Sequence, residues 1–229
     1  MQNDSNRQYL LFKPRIVGFI VAFILLILTA TISGQLNNHY NTELRGKVTI
    51  QLNQIQSNIE NEINRLFYLS KGLVAYVALN PKLDSVNFVG MSKEILRDSL
   101  PIKSINLAPN NIISYIYPLK ENEKDLGLDL SKNTKQWPVI KAMIADKKSM
   151  LDGPIDLIQG GKVFINRTPI FVTSSNENKE KYWGIANTVI EVDQLLESAG
   201  INDFNDSIRI SLHKKAKNGL EINQIFGDD

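Results

Sequence analysis

The chain has 229 residues, of which 43% are hydrophobic and 22% charged. These are the proportions of a folded protein long enough for one large domain or two small ones. It contains no Cys and only two His, which excludes disulfides and thiolate chemistry and leaves too few ligands for the usual zinc sites. From Glu43 onwards, 23 Lys and Arg balance 23 Asp and Glu, so we expect no basic surface for a nucleic-acid backbone.

An apolar segment begins at residue 16, and residues 16–42 contain no Asp, Glu, Lys or Arg. About 20 apolar residues cross a bilayer core as a helix, so residues 16–36 are predicted to be a transmembrane helix. Lys13 and Arg15 directly precede it, and the positive-inside rule therefore predicts that the tail (1–15) is cytoplasmic. The remainder is expected outside the cytoplasm, attached to the cell inner membrane. A cleaved signal peptide and a buried core helix are the alternatives.

A stripe of apolar residues at steps of three or four follows, which is typical of an amphipathic helix. It predicts a stalk helix over residues 37–79, unbroken at least from 47 to 71, with Gly72 and then Asn80-Pro81 as the first stop signals. The stripe has two compatible interpretations, namely packing on its own domain and pairing with a second copy as a homodimer. Its members are Leu44, Val48, Leu52, Ile55, Ile59, Ile63 and Leu66.

Short elements of mixed type are predicted after Pro81. Apolar spacing predicts a helix over 86–99 and another over 134–146, whose apolar side carries Trp137, Ile140, Met143 and Ile144. Runs rich in β-branched and aromatic residues predict strands at 112–117, 163–172, 183–190 and from 208, with a polar loop at 174–181. Asp193 is predicted to cap a short helix at 194–199 that ends at Gly200. Helices followed by antiparallel strands predict an α+β domain.

Several segments in this region resemble the signature of the CHASE domain, an extracytoplasmic sensor of bacterial and plant receptors. In order they are LAPNNIISYIYPLKENEKDLGLDL (107–130), Trp137, GPIDLIQGG (153–161), RTPIF (167–171) and YWGIANTVIEVDQLL (182–196). The resemblance implies two PAS-like subdomains with antiparallel sheets. The membrane-distal subdomain (80–200) would bind ligand, and the membrane-proximal subdomain would begin at 201–229 and be incomplete here.

The same resemblance implies ligand contacts. In the plant cytokinin receptors of the family, an aspartate binds the adenine ring and a leucine offers a backbone contact, and the matching positions are Asp129 and Leu151. Four more residues are candidates by their place in the motifs: Tyr115, Tyr117, Phe164 and Arg167. The competing interpretations are a turn cap for Asp129, core packing for Leu151, sheet packing for the aromatics and a surface ion pair for Arg167. The family's other polar contacts are not matched, so cytokinin itself does not follow.

These observations predict a membrane-anchored sensor that binds a small molecule, without cofactor or metal and without enzyme activity of its own. A Cache-type chemoreceptor sensor is the nearest alternative. A periplasmic enzyme is less favoured, because the chain has no nucleophile elbow or phosphate loop and offers only the Asp125/Asp129 pair for acid–base work. We also expect the chain to be truncated, with a cytoplasmic output domain, most often a histidine kinase or a cyclic-di-GMP enzyme in this family, lying beyond it.

Overall fold

The computed structural model describes residues 3–98, 101–157, 161–173, 179–201, 211–215 and 222–226. The chain divides into two compact units, Met1–Gln54 and Ile55–Asp229, which are described separately below. The secondary structure begins with one long helix, α1 (Asn3–Leu79), that contributes to both units.

The first unit is the N-terminal part of α1. Its apolar side chains between residues 16 and 32 are exposed around the whole helix, with Phe19 at 77% of its full accessibility. The described part of the chain contains one helix, Ile16–Leu79, with a segment long and apolar enough to cross a membrane, and its mean hydropathy reaches 2.7. The helical prediction for 16–36 is therefore confirmed, and the exposed apolar surface is the kind that lipid covers.

In the second unit, one face of α1 is buried against its own domain. The buried positions continue the predicted stripe at steps of three or four residues: Ile55, Leu66, Ser70, Leu73 and Val77, with Ile59 and Ile63 partly buried. Packing on its own domain is thus confirmed for this half of the stripe. The helix ends at Leu79, before Asn80-Pro81 as predicted. Gly72 does not stop it, since Gly inside a helix costs only about 1 kcal/mol.

Among the described residues, three shorter α-helices follow: α2 (Ser85–Ile95), α3 (Trp137–Asp146) and α4 (Val192–Ser198). Asp84 caps α2, because its carboxylate accepts the backbone N–H of Asn87 at 2.7 Å. The predicted cap at Asp193 is wrong. Asp193 lies inside the first turn of α4, and Glu191 occupies the cap position without a side-chain hydrogen bond. Single 3₁₀ turns occur at Leu96–Asp98, Glu123–Asp125 and Leu130–Lys132.

In the part of the chain that the structure describes, five strands form one sheet in which every neighbouring pair is antiparallel. They are β1 (Ile102–Pro109), β2 (Tyr115–Tyr117), β3 (Met150–Asp156), β4 (Lys162–Thr173) and β5 (Glu180–Glu191). The order β2-β1-β5-β4-β3 is that of a PAS-like sheet, so the predicted α+β class is confirmed. Of these strands, β4 and β5 were predicted from the sequence and β1 and β3 were not, while the predicted strand at 112–117 began too early for β2.

A second, two-stranded sheet pairs β6 (Leu212–Lys215) with β7 (Ile222–Phe226). The ammonium of Lys162 on β4 donates to the carbonyl of Ile225 at 3.3 Å. Of the strand predicted at 208–212, residues 208–210 lie outside the described residues. The region from 201 onwards remains a predicted second subdomain.

The large sheet has two covered faces. On the face named the α1 face, Ile105, Leu107 and Ile190 pack with α1, α2 and α4. On the face named the α3 face, Ala108 and Ile185 pack with Ile113, Leu130, Ile140 and Met143. Trp137 and Ile144 pack against the same cluster, which confirms the predicted apolar side of α3. β1 and β5 approach so closely that a Cβ at Gly184 would overlap the carbonyl oxygen of Ala108.

Candidate functional site

Three polar side chains lie side by side in the middle of the α3 face. Register pairs Asn106 with Asn187 and Asn187 with Arg167, so the three residues occupy adjacent strands on one face. All three are buried. The amide of Asn187 donates to Asn106 Oδ1 at 2.7 Å, and the guanidinium of Arg167 donates to Asn187 Oδ1 at 3.3 Å. We call these three residues the polar row.

Arg167 carries a full charge into this row. Its side chain is 3% exposed, and its nearest carboxylate oxygen is Oδ2 of Asp152 at 3.6 Å, on the neighbouring strand β3. Gln136, just before α3, accepts a second bond from the guanidinium at 2.9 Å. Burial lowers the pKa of Arg167, and Asp152 opposes that shift; the guanidinium nevertheless stays charged at physiological pH. Its Nε has no partner among the described groups.

The surface ion pair considered for Arg167 is therefore wrong, because the side chain is buried. β4 is covered on both faces, so alternation along it places Arg167 on the α3 face and Asn166 and Thr168 on the α1 face. A buried guanidinium with a spare donor, held by amides, is suited to bind an acceptor group on a ligand.

Four of the predicted ligand residues lie on the opposite, α1 face. Tyr115, Tyr117, Phe164 and Leu151 all belong to the hydrophobic cluster that packs against α1, α2 and α4. Tyr115 also donates its hydroxyl to the carbonyl of Leu83 at 2.7 Å. Their side chains thus pack between sheet and helices, as the competing interpretations held, and do not share a face with Arg167. The backbone contact implied for Leu151 stays a prediction.

Asp129 begins the 3₁₀ turn Leu130–Lys132 and acts as its cap. Its carboxylate accepts the backbone N–H of Ser131 at 2.9 Å and the Ser131 hydroxyl at 2.6 Å. The Ser131 hydroxyl holds the pKa of Asp129 below its ordinary value. These contacts support the interpretation of Asp129 as a turn cap. A ligand contact from its other carboxylate oxygen stays a prediction.

A second polar cluster lies on the α1 face, directly behind the polar row. The hydroxyl of Ser70 on α1 lies 2.9 Å from Thr188 Oγ1, and the amide of Asn166 donates to it at 2.9 Å. Since Ser70 gives its single proton to the carbonyl of Leu66, its oxygen accepts from both partners. Oδ1 of Asn166 is buried without a partner. We call Ser70, Asn166 and Thr188 the helix–sheet triad.

Of the polar row only Arg167 was predicted from the sequence as a functional residue, and no member of the helix–sheet triad was. Asn106, Asn166 and Asn187 sit inside strands, where asparagine is disfavoured by β propensity. Polar residues within otherwise buried strands were the available signal. It could not be read as a cluster before the strands were paired.

The chain belongs to the CHASE domain family, whose model matches residues 87–222, more than half of the chain. This confirms the family that the motifs indicated. The family makes the chain a sensor module of the extracytoplasmic type. No protein of curated function matches the sequence.

Two solved structures resemble this chain in part. The extracellular ligand binding receptor from Desulfohalobium retbaense DSM5692 is 15% identical with a TM-score of 0.48, and the alignment covers 66% of this chain and 27% of that chain. The sensory domain of the Campylobacter jejuni chemoreceptor Tlp3 (CcmL) is 18% identical with a TM-score of 0.49, and the alignment covers 69% of this chain and 64% of that chain. This chain therefore spans about a quarter of the length of the receptor and less than two thirds of the length of the chemoreceptor sensory domain.

Within the described ranges, no group of three or more His, Cys, Asp or Glu side chains is placed to hold a metal ion. The two carboxylates weighed for acid–base work differ in environment. Burial raises the pKa of Asp125, whereas the Ser131 hydroxyl lowers that of Asp129. Asp129 caps the 3₁₀ turn Leu130–Lys132.

Replacing Asp152 by Asn should destabilise the fold, because it removes the carboxylate beside the buried Arg167. We expect the free energy of unfolding to fall by about 1–3 kcal/mol, less than for a fully buried pair because Asp152 keeps some contact with water. Urea unfolding followed by tryptophan fluorescence measures this. Asp156→Asn on the same strand, where the side chain is exposed, should change stability by less than about 0.5 kcal/mol. Equal stability of the two variants would contradict the role given to Asp152.

Proposed function

We propose that this chain is the membrane-anchored input module of a signal-transduction receptor. It binds a small molecule outside the cytoplasm and passes the change through the membrane to an output domain beyond this chain. The match of the CHASE family to the five-stranded sheet is the observation that carries this proposal. The exposed apolar helix ahead of the sheet supports the membrane anchor. In this proposal residues 80–200 form the ligand-binding subdomain and 201–229 begin the membrane-proximal one.

The proposed orientation places residues 1–15 in the cytoplasm, because Lys13 and Arg15 lie on that side of the apolar segment. Because the chain has no Cys, single-cysteine variants report one position each. In intact cells a membrane-impermeant maleimide should label Lys82→Cys and not Ser5→Cys, whereas lysed cells should give label at both. Labelling of Ser5→Cys alone in intact cells would reverse the orientation, and loss of the N-terminal segment from the mature protein would indicate a signal peptide.

The proposed ligand site is the α3 face around the polar row. Arg167 offers charged donors at the centre, and Gln136, which now accepts one of them, stands where a ligand oxygen could replace it. The ligand would then carry a carboxylate or another strong acceptor, because an ionised acceptor forms the stronger bond with a guanidinium. Asp129 is proposed as a further contact with the ligand, because it matches the ligand-binding aspartate of the plant receptors in this family.

A thermal-shift screen of small carboxylates and adenine-type compounds should find a compound that raises the unfolding midpoint. At 100 times its dissociation constant, a ligand that binds only the folded state adds about 2.7 kcal/mol. Arg167→Lys keeps the charge but loses the planar donor set, so the shift should shrink in that variant. Asp129→Ala should also reduce it if the carboxylate touches the ligand. Asp146→Ala, at the exposed end of α3, is the matched control.

Hits that stabilise all variants equally would place the site away from the polar row. A cooperative melt with no hit in any class would count against a small-molecule sensor.

The helix–sheet triad offers a route from this site to α1. Asn166 and Arg167 are neighbours on β4, and Asn187 and Thr188 are neighbours on β5, so each strand carries one group on each face. A ligand that shifts Arg167 and Asn187 therefore also shifts the two partners of Ser70. Asn166 Oδ1 has no hydrogen bond to lose in such a shift, which lowers the cost of an alternative arrangement.

We further propose that α1 pairs with a second copy through the N-terminal half of its stripe. Leu44 and Leu52 are exposed, whereas Ile55 is only 7% exposed because it packs on its own domain. We therefore expect the dimer contact at Leu44 and Leu52, and not at Ile55 and Ile59. Exposed leucines repeated along one face of a helix are suited to a two-helix contact.

Oxidation of membranes containing Leu44→Cys or Leu52→Cys should give disulfide-linked dimers, with far less product for Ile55→Cys. Ile50→Cys, exposed on another face of α1, is the control. A ligand from the screen should change the yield at Leu52→Cys, and adding Ser70→Ala should weaken that change while leaving ligand binding intact. Equal yields at Ile50 and Leu52 would rule out the stripe as the contact. An unaltered ligand response in the Ser70→Ala background would rule out the triad as the route.

A further inference from the structure

A groove of about 470 Å³ lies between α1 and the loop that joins α3 to β3. Its lining contains none of the six predicted ligand residues and no member of the polar row. It is therefore distinct from the site proposed above. The lining residues are Asn64, Phe67, Tyr68, Lys71, Lys147, Lys148 and Ser149.

The lining holds three lysines and no carboxylate. Lys147 is paired with Glu180, and its ammonium also lies 4.9 Å from the ring centre of Phe171. Lys71 lies 5.5 Å from the ring centre of Tyr68. In the part of the chain that the structure describes, neither Lys71 nor Lys148 has a carboxylate within ion-pair distance. Two uncompensated ammonium groups thus border the groove from different elements, and the groove attracts anions.

The loop side of the groove is held in place by hydrogen bonds. Lys147 ends α3 in the left-handed conformation with φ +53°, and its N–H donates to the carbonyl of Ile144 at 3.2 Å. The N–H of Lys148 donates to Met143 at 3.3 Å. The Ser149 hydroxyl is bonded at 2.9 Å to that of the buried Thr168. A ligand therefore meets a loop whose backbone is already ordered, which lowers the entropic cost of binding.

Helix-end electrostatics account for only part of this arrangement. A cation near the C-terminus of a helix is stabilised by the helix dipole, so Lys147 and Lys148 are favourable at the end of α3 without any ligand. That argument does not reach Lys71, which is on α1, or the two aromatic rings beside it. Tyr68 is 71% exposed next to the half-buried Phe67. An exposed aromatic wall beside unpaired cations is suited to a ring that bears negative charge.

We infer that this groove binds a small aromatic dianion, such as an aryl phosphate or an aromatic dicarboxylate. Its charges lie between the ammonium groups of Lys71 and Lys148, and its ring lies against Phe67 and Tyr68. Asn64 and Ser149 supply polar groups at the edges. Because α1 forms one wall and the α3–β3 loop the other, such a ligand links the helix to the edge of the sheet.

Phenyl phosphate is the probe, used at pH 8, where its second ionisation is complete. Isothermal titration of the full chain in lipid nanodiscs should show binding that weakens as salt is added. Inorganic phosphate, which has the charge without the ring, and benzyl alcohol, which has the ring without the charge, should both bind more weakly. Lys71→Gln and Lys148→Gln should each weaken phenyl phosphate binding about three- to fivefold, the size of one exposed ion pair. Lys141→Gln, an exposed lysine of α3 outside the groove, should leave it unchanged.

Three results would overturn the inference. The first is no binding of phenyl phosphate at about 10 mM, a concentration well above the weak affinities expected of exposed charge pairs. The others are an equal loss of phenyl phosphate affinity in Lys141→Gln and Lys148→Gln, and inorganic phosphate binding as tightly as phenyl phosphate. Lys71→Gln and Lys148→Gln should leave unchanged the thermal shift that a ligand of the polar row produces. This separates a failure here from a failure of the ligand site on the α3 face.

Discussion

The pairing of β4 with β5 is the interaction on which the rest of this domain depends. It is the longest ladder in the sheet, from Val163 opposite Glu191 to Thr173 opposite Glu180, and β1 and β3 add to its two sides. Because successive residues of a strand face opposite sides, this one ladder sets two surfaces at once. On one side it presents Arg167 and Asn187 to α3, and on the other it presents Asn166 and Thr188 to α1. A slip of one residue would exchange the two sets.

That arrangement gives a physical basis for sensing. A sensor needs a binding group whose displacement reaches another element, and in the proposed site the two groups are consecutive residues on the same strands. The apolar residues around them are packed, so a shift of the strand is transmitted and not absorbed by loose side chains. The buried charge of Arg167 is balanced only in part by Asp152 at 3.6 Å, and a ligand acceptor would complete its environment.

Several features could be predicted because they depend on local sequence alone. The helical period of the stripe predicted the packing face of α1 from Ile55 onwards, and the Asn80-Pro81 pair predicted its end. The runs around Phe164 and Ile185 predicted β4 and β5. The prediction was wrong where two local signals competed. Asp193 is a good capping residue, but the strand before it continues to Glu191, so the helix starts two residues too early for Asp193 to cap it. β1 was missed because it is buried on both faces and shows no alternation.

The sequence by itself determined the apolar helix, the α+β class and the family, since these follow from hydrophobic period, charge-free length and the order of motifs. It did not determine which candidate residues share a surface. Asn106 and Asn187 are 81 positions apart, and Ser70 and Thr188 are 118 apart. Their proximity is fixed by strand order and register, which arise from packing the whole sheet against its helices. The burial of Arg167 beside two asparagines was therefore decided only by the tertiary structure. The same holds for the position of four other candidates on the opposite side of the sheet, namely Tyr115, Tyr117, Leu151 and Phe164.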